Sequence, residues 1–402
     1  MKMKRSLTVS LVLVLSLILT VGLFSTGFAQ DQETYRIGLV FDVGGKGDKS
    51  FNDSAYRGLE WAKNGSEEFE DITALPINFT TIEPGTGGAG RESAMRMMAA
   101  QGFDLVIGVG YLFSDSARSL ARSFPDVNIA VVDYTPGEEA TPSNLVGLSF
   151  KEQEGSFLVG ALAAMKTETD KIGFVGGMAS PLIKKFEAGF RSGAWYVNPD
   201  LEISTKYVGT TGSAFANPAK GKELAKAMFN DNVDVIHHAA GLSGSGVIEA
   251  ASETGNYAIG VDSDQNYMAP GHVLTSMLKR VDVAVYNAIH DVVNGEFEGG
   301  MDKRFGLAEN GVGYAVDVFN RVEEFPEQVE QLQATGSVTL PALGTTQVSP
   351  QRIEQLPSEN LVTEDMIARV EGLKQMIIDG KFVVPASPQD VTAENPVKHT
   401  SE

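Results

Sequence analysis

Two aspartates stand at matching places in the chain. Asp133 ends the run Ala130-Val131-Val132-Asp133, and Asp262 ends Ile259-Gly260-Val261-Asp262. Two carboxyl groups at the ends of apolar runs can act as acid and base on a glycosidic bond, as in a glycosidase or nucleoside hydrolase. They can equally accept hydrogen bonds from a donor-rich ligand. The loop from Asp42 to Asp53 (DVGGKGDKSFND) adds three more Asp, three Gly and two Lys. A phosphate-loop reading fails on spacing, because G-x-x-x-x-G-K-[ST] is absent and GGKG lies too far before the next helix to aim amides at a phosphate. Metal-assisted hydrolysis on Asp42, Asp48 and Asp53 stays open. The loop also offers an aromatic ring, Phe51, and an amide, Asn52, at a helix start. Those two can face a ligand, or serve as a core staple and a helix cap.

The run Gly241-Leu242-Ser243-Gly244-Ser245-Gly246 follows one apolar run and precedes a helical pattern. It is G-x-x-G-x-G rather than the dinucleotide fingerprint G-x-G-x-x-G, so it predicts a turn that presents backbone amides without a pyrophosphate. His237 and His238 are neighbours in the preceding strand and must face opposite sides, so they cannot share a metal; no metal or cofactor is expected. The sequence lacks G-x-S-x-G and H-E-x-x-H, which leaves hydrolase-elbow and zincin chemistry without a motif.

Strands and helices must position these residues. Apolar runs at 37–41, 104–109 and 128–132 alternate with helical spacing over 51–63, 90–101 and 113–124. The plan repeats with strands at 171–175, 233–236 and 257–261 and helices over 181–197, 218–230 and 243–253. Continuous apolar strands separated by helices predict parallel sheets covered on both faces. The fold class is therefore α/β, two doubly wound Rossmann-like domains with a hinge, each with an Asp at the ligand-binding edge of its sheet. The segment 273–278 and the helix over 281–295 are expected to cross back onto the first domain. A strand near 305–316 and a helix near 363–379 are expected to complete the second. The segmentation is 1–29 as a leader, 35–150 plus 276–300 as the first domain, 151–275 plus 301–384 as the second, and 385–402 as a polar, frayed tail.

The 402 residues carry 52 Asp+Glu against 32 Lys+Arg, a formal charge of −20, with 43% apolar side chains and no Cys. That charge repels phosphate backbones and excludes nucleic acid as a partner. Without Cys there is no disulfide scaffold and no thiolate metal site or nucleophile. Lys2, Lys4 and Arg5 precede a short apolar run over 7–19, and small residues flank Phe28 at a junction near Ala29. This predicts a cleavable secretory signal. Losing those three cations leaves 29 Lys+Arg against 52 Asp+Glu, a net −23.

The stretch IGLVFDVGGKGDKSFNDSAYRGLE over 37–60 closely resembles the opening of the basic membrane protein family, which includes purine nucleoside receptors of the PnrA type. Further similar stretches follow in order: EGSFLVGALAAMKT (154–167), IGFVGGM (172–178), PLIKKFEAGFRSG (181–193), NPAKGKELA (217–225), the turn over 238–246, IGVDSDQ (259–265) and TSMLKRVDVAV (275–285). The resemblance covers most of 36–300. It implies a type I periplasmic binding protein fold and a non-enzymatic protein that hands a purine nucleoside to the permease and ATPase of an ABC importer.

In that family the base lies between two rings and a carboxylate anchors it. Carried over by motif, Phe51 is one ring, Asn52 a polar contact beside it, and Asp133 the acceptor for base N–H groups. Asp262 and Lys279 would hold the ribose, Gly241 and Gly244 would line the turn, and Asp42 joins the ligand-facing carboxylates. The second ring maps to Phe215, where Phe215-Ala216-Asn217 departs from the aromatic-Ser-Asp or aromatic-Asp-Asp usual in the family. Many relatives are lipoproteins. With no Cys for a lipid, this one is expected to be a monomer free in the periplasm. A nucleoside hydrolase-like enzyme and a sensory receptor not coupled to transport are the alternatives.

Overall fold

The computed structural model describes residues 34–66, 68–85, 89–340 and 343–399; the expected leader and its junction near Ala29 lie outside them. The first half alternates β1 (Tyr35–Val40), α1 (Phe51–Asn64), β2 (Ile77–Ile82), α2 (Arg91–Ala100), β3 (Leu105–Val109), α3 (Ser114–Ser123), β4 (Asn128–Val132) and β5 (Leu145–Phe150). The second runs α4 (Glu152–Lys166), β6 (Lys171–Met178), α5 (Pro181–Val197), β7 (Glu202–Gly209), α6 (Pro218–Asn230), β8 (Val235–Ala239), α7 (Gly244–Thr254), β9 (Tyr257–Asp262) and β10 (Val273–Lys279). After these come α8 (Val281–Val293), β11 (Met301–Phe305) and β12 (Val312–Tyr314).

Each half builds one six-stranded sheet. The orders are β11-β5-β4-β3-β1-β2 and β12-β10-β9-β8-β6-β7, so both halves share the doubly wound order 2-1-3-4-5. All pairings are parallel except β10 with β12. Strands β3, β5 and β8 are buried at every residue, as parallel strands covered on both faces must be. Ser180 caps α5 by accepting from the Ile183 amide, and Asn217 caps α6 by accepting from Lys220; a Pro follows each cap. Helices α4 and α5 pack unusually close, because a Cβ at Gly193 would strike the Phe157 carbonyl and one at Gly160 the Phe190 carbonyl.

Three segments differ from the sequence expectation. Residues 273–279 do not cross back; they pair in parallel with β9, and only the following helix α8 returns, to pack on α1. The strand expected near 305–316 is two strands in two sheets: β11 pairs with β5, Phe305 opposite Phe150, and β12 pairs with β10, Tyr314 opposite Met277. The chain thus passes between the sheets after β5, after β10 and between β11 and β12. The tail over 385–399 is anchored rather than frayed. Val391 and Val397 are buried, the Ser192 hydroxyl donates to the Pro396 carbonyl, and Lys398–His399 pairs with Phe382–Val383.

Further C-terminal elements are α9 (Pro326–Thr335), the hairpin β13 (Ser337–Leu340) and β14 (Gly344–Gln347), the single turn Pro350–Ile353, and α10 (Glu364–Ile378). The helix expected over 363–379 is thus present, with Thr363 as its cap, and it packs on α4. No helix of the described residues is long and apolar enough to cross a membrane.

Candidate ligand-binding site

Segments that follow strands of both sheets line one cavity. From the first half come Asp42, Asp48, Phe51 and Asn52 after β1, Tyr111 after β3 and Asp133 after β4. From the second come Leu182, Ile183 and Phe186 on the first turns of α5, Phe215, Gly241 after β8, Asp262 at the end of β9 and Lys279 at the end of β10. Eight of the nine residues singled out in the sequence meet here. Gly244 does not; it sits under the His238 ring, which a Cβ there would strike, so its smallness serves packing.

The Asp42–Asp53 loop is held by its own carboxylates. Asp48 accepts from the amides of Ser50, Asn52 and Asp53 at 2.9, 2.9 and 3.1 Å, and so caps α1 in place of Asn52. Burial pushes Asp48 up to about 6, against those amides. Asp53 accepts from the Gly47 and Lys49 amides, which occupies the N–H groups a phosphate would need. Asn52 takes the Asp42 amide on its Oδ1 and donates through Nδ2 to Asp48, each at 2.9 Å. It therefore braces the loop while bordering the cavity. Asp42 pairs with Arg91, Nη2 to Oδ1 at 2.5 Å; burial raises its pKa and Arg91 opposes the rise.

Asp133 and Asp262 share one backbone solution. Their φ angles are 60° and 66°, in the left-handed region that Asp enters more readily than most L residues. Lys279, 1% exposed, reaches from the second sheet to Asp133 Oδ1 at 2.6 Å and Glu152 Oε1 at 3.2 Å. The Phe51, Phe150 and Phe186 rings surround its ammonium at 5.0, 5.1 and 5.6 Å, a cation–π arrangement. Burial alone would depress Lys279, but Asp133, Glu152 and Asp262 together raise it, so it stays charged. Burial lifts Asp133 to about 6 against Lys279, with Glu152 adding to the rise. It lifts Asp262 to about 7, opposed by Lys279 and by the Ser50 hydroxyl, which donates to Oδ2 at 2.6 Å. Base anchor and ribose lysine, separate in the sequence reading, are thus one contact pair.

Phe215 lies on the short turn Gly212–Ala216 and packs over Gly177, where a Cβ would strike its ring. Ser243 fixes that turn by donating to the Ala214 carbonyl and accepting from the Asn217 amide, both at 2.7 Å. Gly241, with φ of 54°, backs onto Phe215. Sequence reasoning missed Tyr111, Leu182 and Phe186. Phe186 and Leu182 stand in PLIKKF, i and i+4 on one face of α5; Tyr111 follows a strand end. Both are signals that could have found them. It also missed Glu152, which looks like an ordinary acidic first turn. His237 and His238 are fully buried and pushed down to about 4 and 3 by desolvation, so both are neutral core residues.

Comparison with known proteins bears on this site. Residues 36–342 match the family model described as ABC transporter substrate-binding protein PnrA-like. Basic membrane protein A of Borreliella burgdorferi is 40% identical over 286 residues, covering 70% of this chain and 79% of that protein. The CD4+ T-cell-stimulating antigen of Listeria monocytogenes is 30% identical over 377 residues, 89% of this chain and 90% of that one. Among solved structures, an ABC transporter solute-binding protein from Aeropyrum pernix K1 superposes with a TM-score of 0.68 at 31% identity, over 87% of this chain and 94% of that one. One from Conexibacter woesei, at 19% identity and a TM-score of 0.60, shares the fold.

Proposed function

The chain belongs to the PnrA-like family of ABC transporter substrate-binding proteins, and we propose that its ligand is a purine nucleoside, captured in the periplasm and released intact to a permease and its ATPase. The observation that carries this reading is a single cavity whose lining includes the rings of Phe51 and Phe215, two strand-end carboxyl groups and one buried ammonium. A nucleoside offers a base face, base N–H donors and vicinal hydroxyls. Stacking on a base is worth about 1–3 kcal/mol per ring, and carboxylates suit the donors. In this reading the base lies between Phe51 and Phe215 with its N–H groups toward Asp133, and the ribose hydroxyls meet Asp262 and Lys279. The protein acts as a monomer.

Thermal unfolding with inosine, guanosine, adenosine, free bases, sugars and nucleotides tests the ligand class. A ligand at one hundred times its dissociation constant stabilises the folded state by about 2.7 kcal/mol. A purine nucleoside should raise Tm where free sugars do not; no shift with any purine nucleoside would remove the reading. Incubation with inosine should return it unchanged, whereas released hypoxanthine would make the protein a hydrolase.

A further inference from the structure

Glu152 is a charged residue with no exposed surface, and it does not line the ligand cavity. A glutamate is fully buried only when its charge is paired. Here two lysines pair it from opposite sides. Its Oε2 lies 3.0 Å from Lys185 Nζ and its Oε1 lies 3.2 Å from Lys279 Nζ. It stands in the first turn of α4. Lys185 also donates to the Phe150 carbonyl at 3.2 Å. It borders a second cavity, lined also by Glu152 and Asp133.

We propose that Glu152 is a positioning residue of the binding site: bridging Lys185 and Lys279, it holds the Lys279 ammonium beside Asp133 and sets the charge state of the carboxyl group that meets the ligand. Without it, the ammonium would have partners only on the Asp133 and Asp262 side and would settle deeper between the groups a ligand needs. The charge balance supports a second role. Asp133, Glu152 and Asp262 are three carboxyl groups served by two ammonium groups. The other ionisable groups around this set are Tyr111 after β3, Asp42 and Asp48 in the loop before α1, and Tyr134, Lys151, Asp302 and Arg304 around the second cavity. The Glu152 charge opposes ionisation of Asp133, while Lys279 and Lys185 favour it.

Two substitutions therefore act in opposite directions along one axis. Glu152→Gln keeps shape and removes the negative charge, so Asp133 should ionise at lower pH. Lys185→Met removes the outer positive charge, so Asp133 should ionise at higher pH. The measurement is a carbon-13 carboxyl NMR titration of the ligand-free protein, with the Asp133 signal assigned through Asp133→Asn. Alongside it, calorimetry follows inosine affinity across pH. E152Q should lose about tenfold in affinity at neutral pH, a free-energy change of about 1.4 kcal/mol, and the acid limb of binding should move with the titration in each variant. The proposal is overturned if both variants titrate like wild type, or if both move the same way, as a general loosening would produce. The inosine arm rests on the nucleoside reading. If wild type binds no inosine, that reading fails while the ligand-free titration still decides the role of Glu152. If E152Q does not fold, an unmoved Asp133 titration in K185M overturns the proposal.

Discussion

Both strand-end aspartates carry left-handed backbones as well as buried carboxyl groups. Asparagine tolerates that backbone and keeps an oxygen that can accept from Ser50, so Asp262→Asn deletes the charge with little other change. Burial raises Asp262 to about 7 from its ordinary 3.8. The folded chain then holds this proton more tightly than the unfolded chain does. Between about pH 4 and pH 7 the unfolded state carries fewer protons, and stability falls as pH rises. The neutral amide lacks that fall. Ligand-free D262N should be no more stable than wild type near pH 4 and gain on it steadily toward pH 7, by at most about 1.4 kcal/mol for each step of one in pH. Urea unfolding across this range reads the difference, and parallel curves for the two proteins would show that Asp262 is not the group that titrates there. The aspartates were legible in the sequence because the same apolar run ends in Asp twice. Glu152 was not, since a glutamate opening a helix usually faces water and only tertiary packing buries this one.

At the level of elements, helix α5 connects the site to the end of the chain. Its first turns carry Leu182, Ile183 and Phe186 into the cavity, and its Ser192 holds the Pro396 carbonyl of the tail. Composition made residues 385–402 read as frayed, because polar residues and Pro dominate them. Two valines, 391 and 397, decide otherwise by being buried. Burying a valine contributes about 1.5 kcal/mol or more, so deletion from residue 385 onward should destabilise the protein by about 3 kcal/mol and weaken inosine binding through α5. Urea midpoints and calorimetry check both; a truncated chain as stable as the full one would mean the tail merely rests on the surface. A second miss has a similar cause. Strand β11 reads MDKRF, too charged for a parallel core strand, and the structure uses it at the sheet edge beside β5, where one side needs no partner strand. Interior strands β3, β4 and β9 were legible because burial on both faces demands nearly unbroken apolar runs.

For the whole molecule, two kinds of negative charge have to be separated. One is diffuse, the −20 of the sequence, which repels anions over distances that salt screens. The other is local, since Asp42, Asp48, Asp133 and Asp262 line the cavity with Lys279 as the one lysine among its lining residues. The Lys279 ammonium is already engaged by Asp133 and Glu152, and the nearby Arg91 is tied to Asp42, so a phosphate entering the cleft would meet carboxyl groups and no uncommitted cation among these. Surface repulsion has a range of about 10 Å at 0.1 M ionic strength and about 3 Å at 1 M, whereas buried groups escape most of that screening. Inosine 5′-monophosphate should therefore bind at least about a hundredfold more weakly than inosine, about 2.7 kcal/mol, and most of the gap should survive in 1 M salt. Calorimetry with both ligands at low and high salt measures it. A gap that closes with salt would assign discrimination to the surface field. A gap absent at every salt concentration would mean that the 5′ end of the ribose points out of the cleft, away from the carboxyl groups that line it.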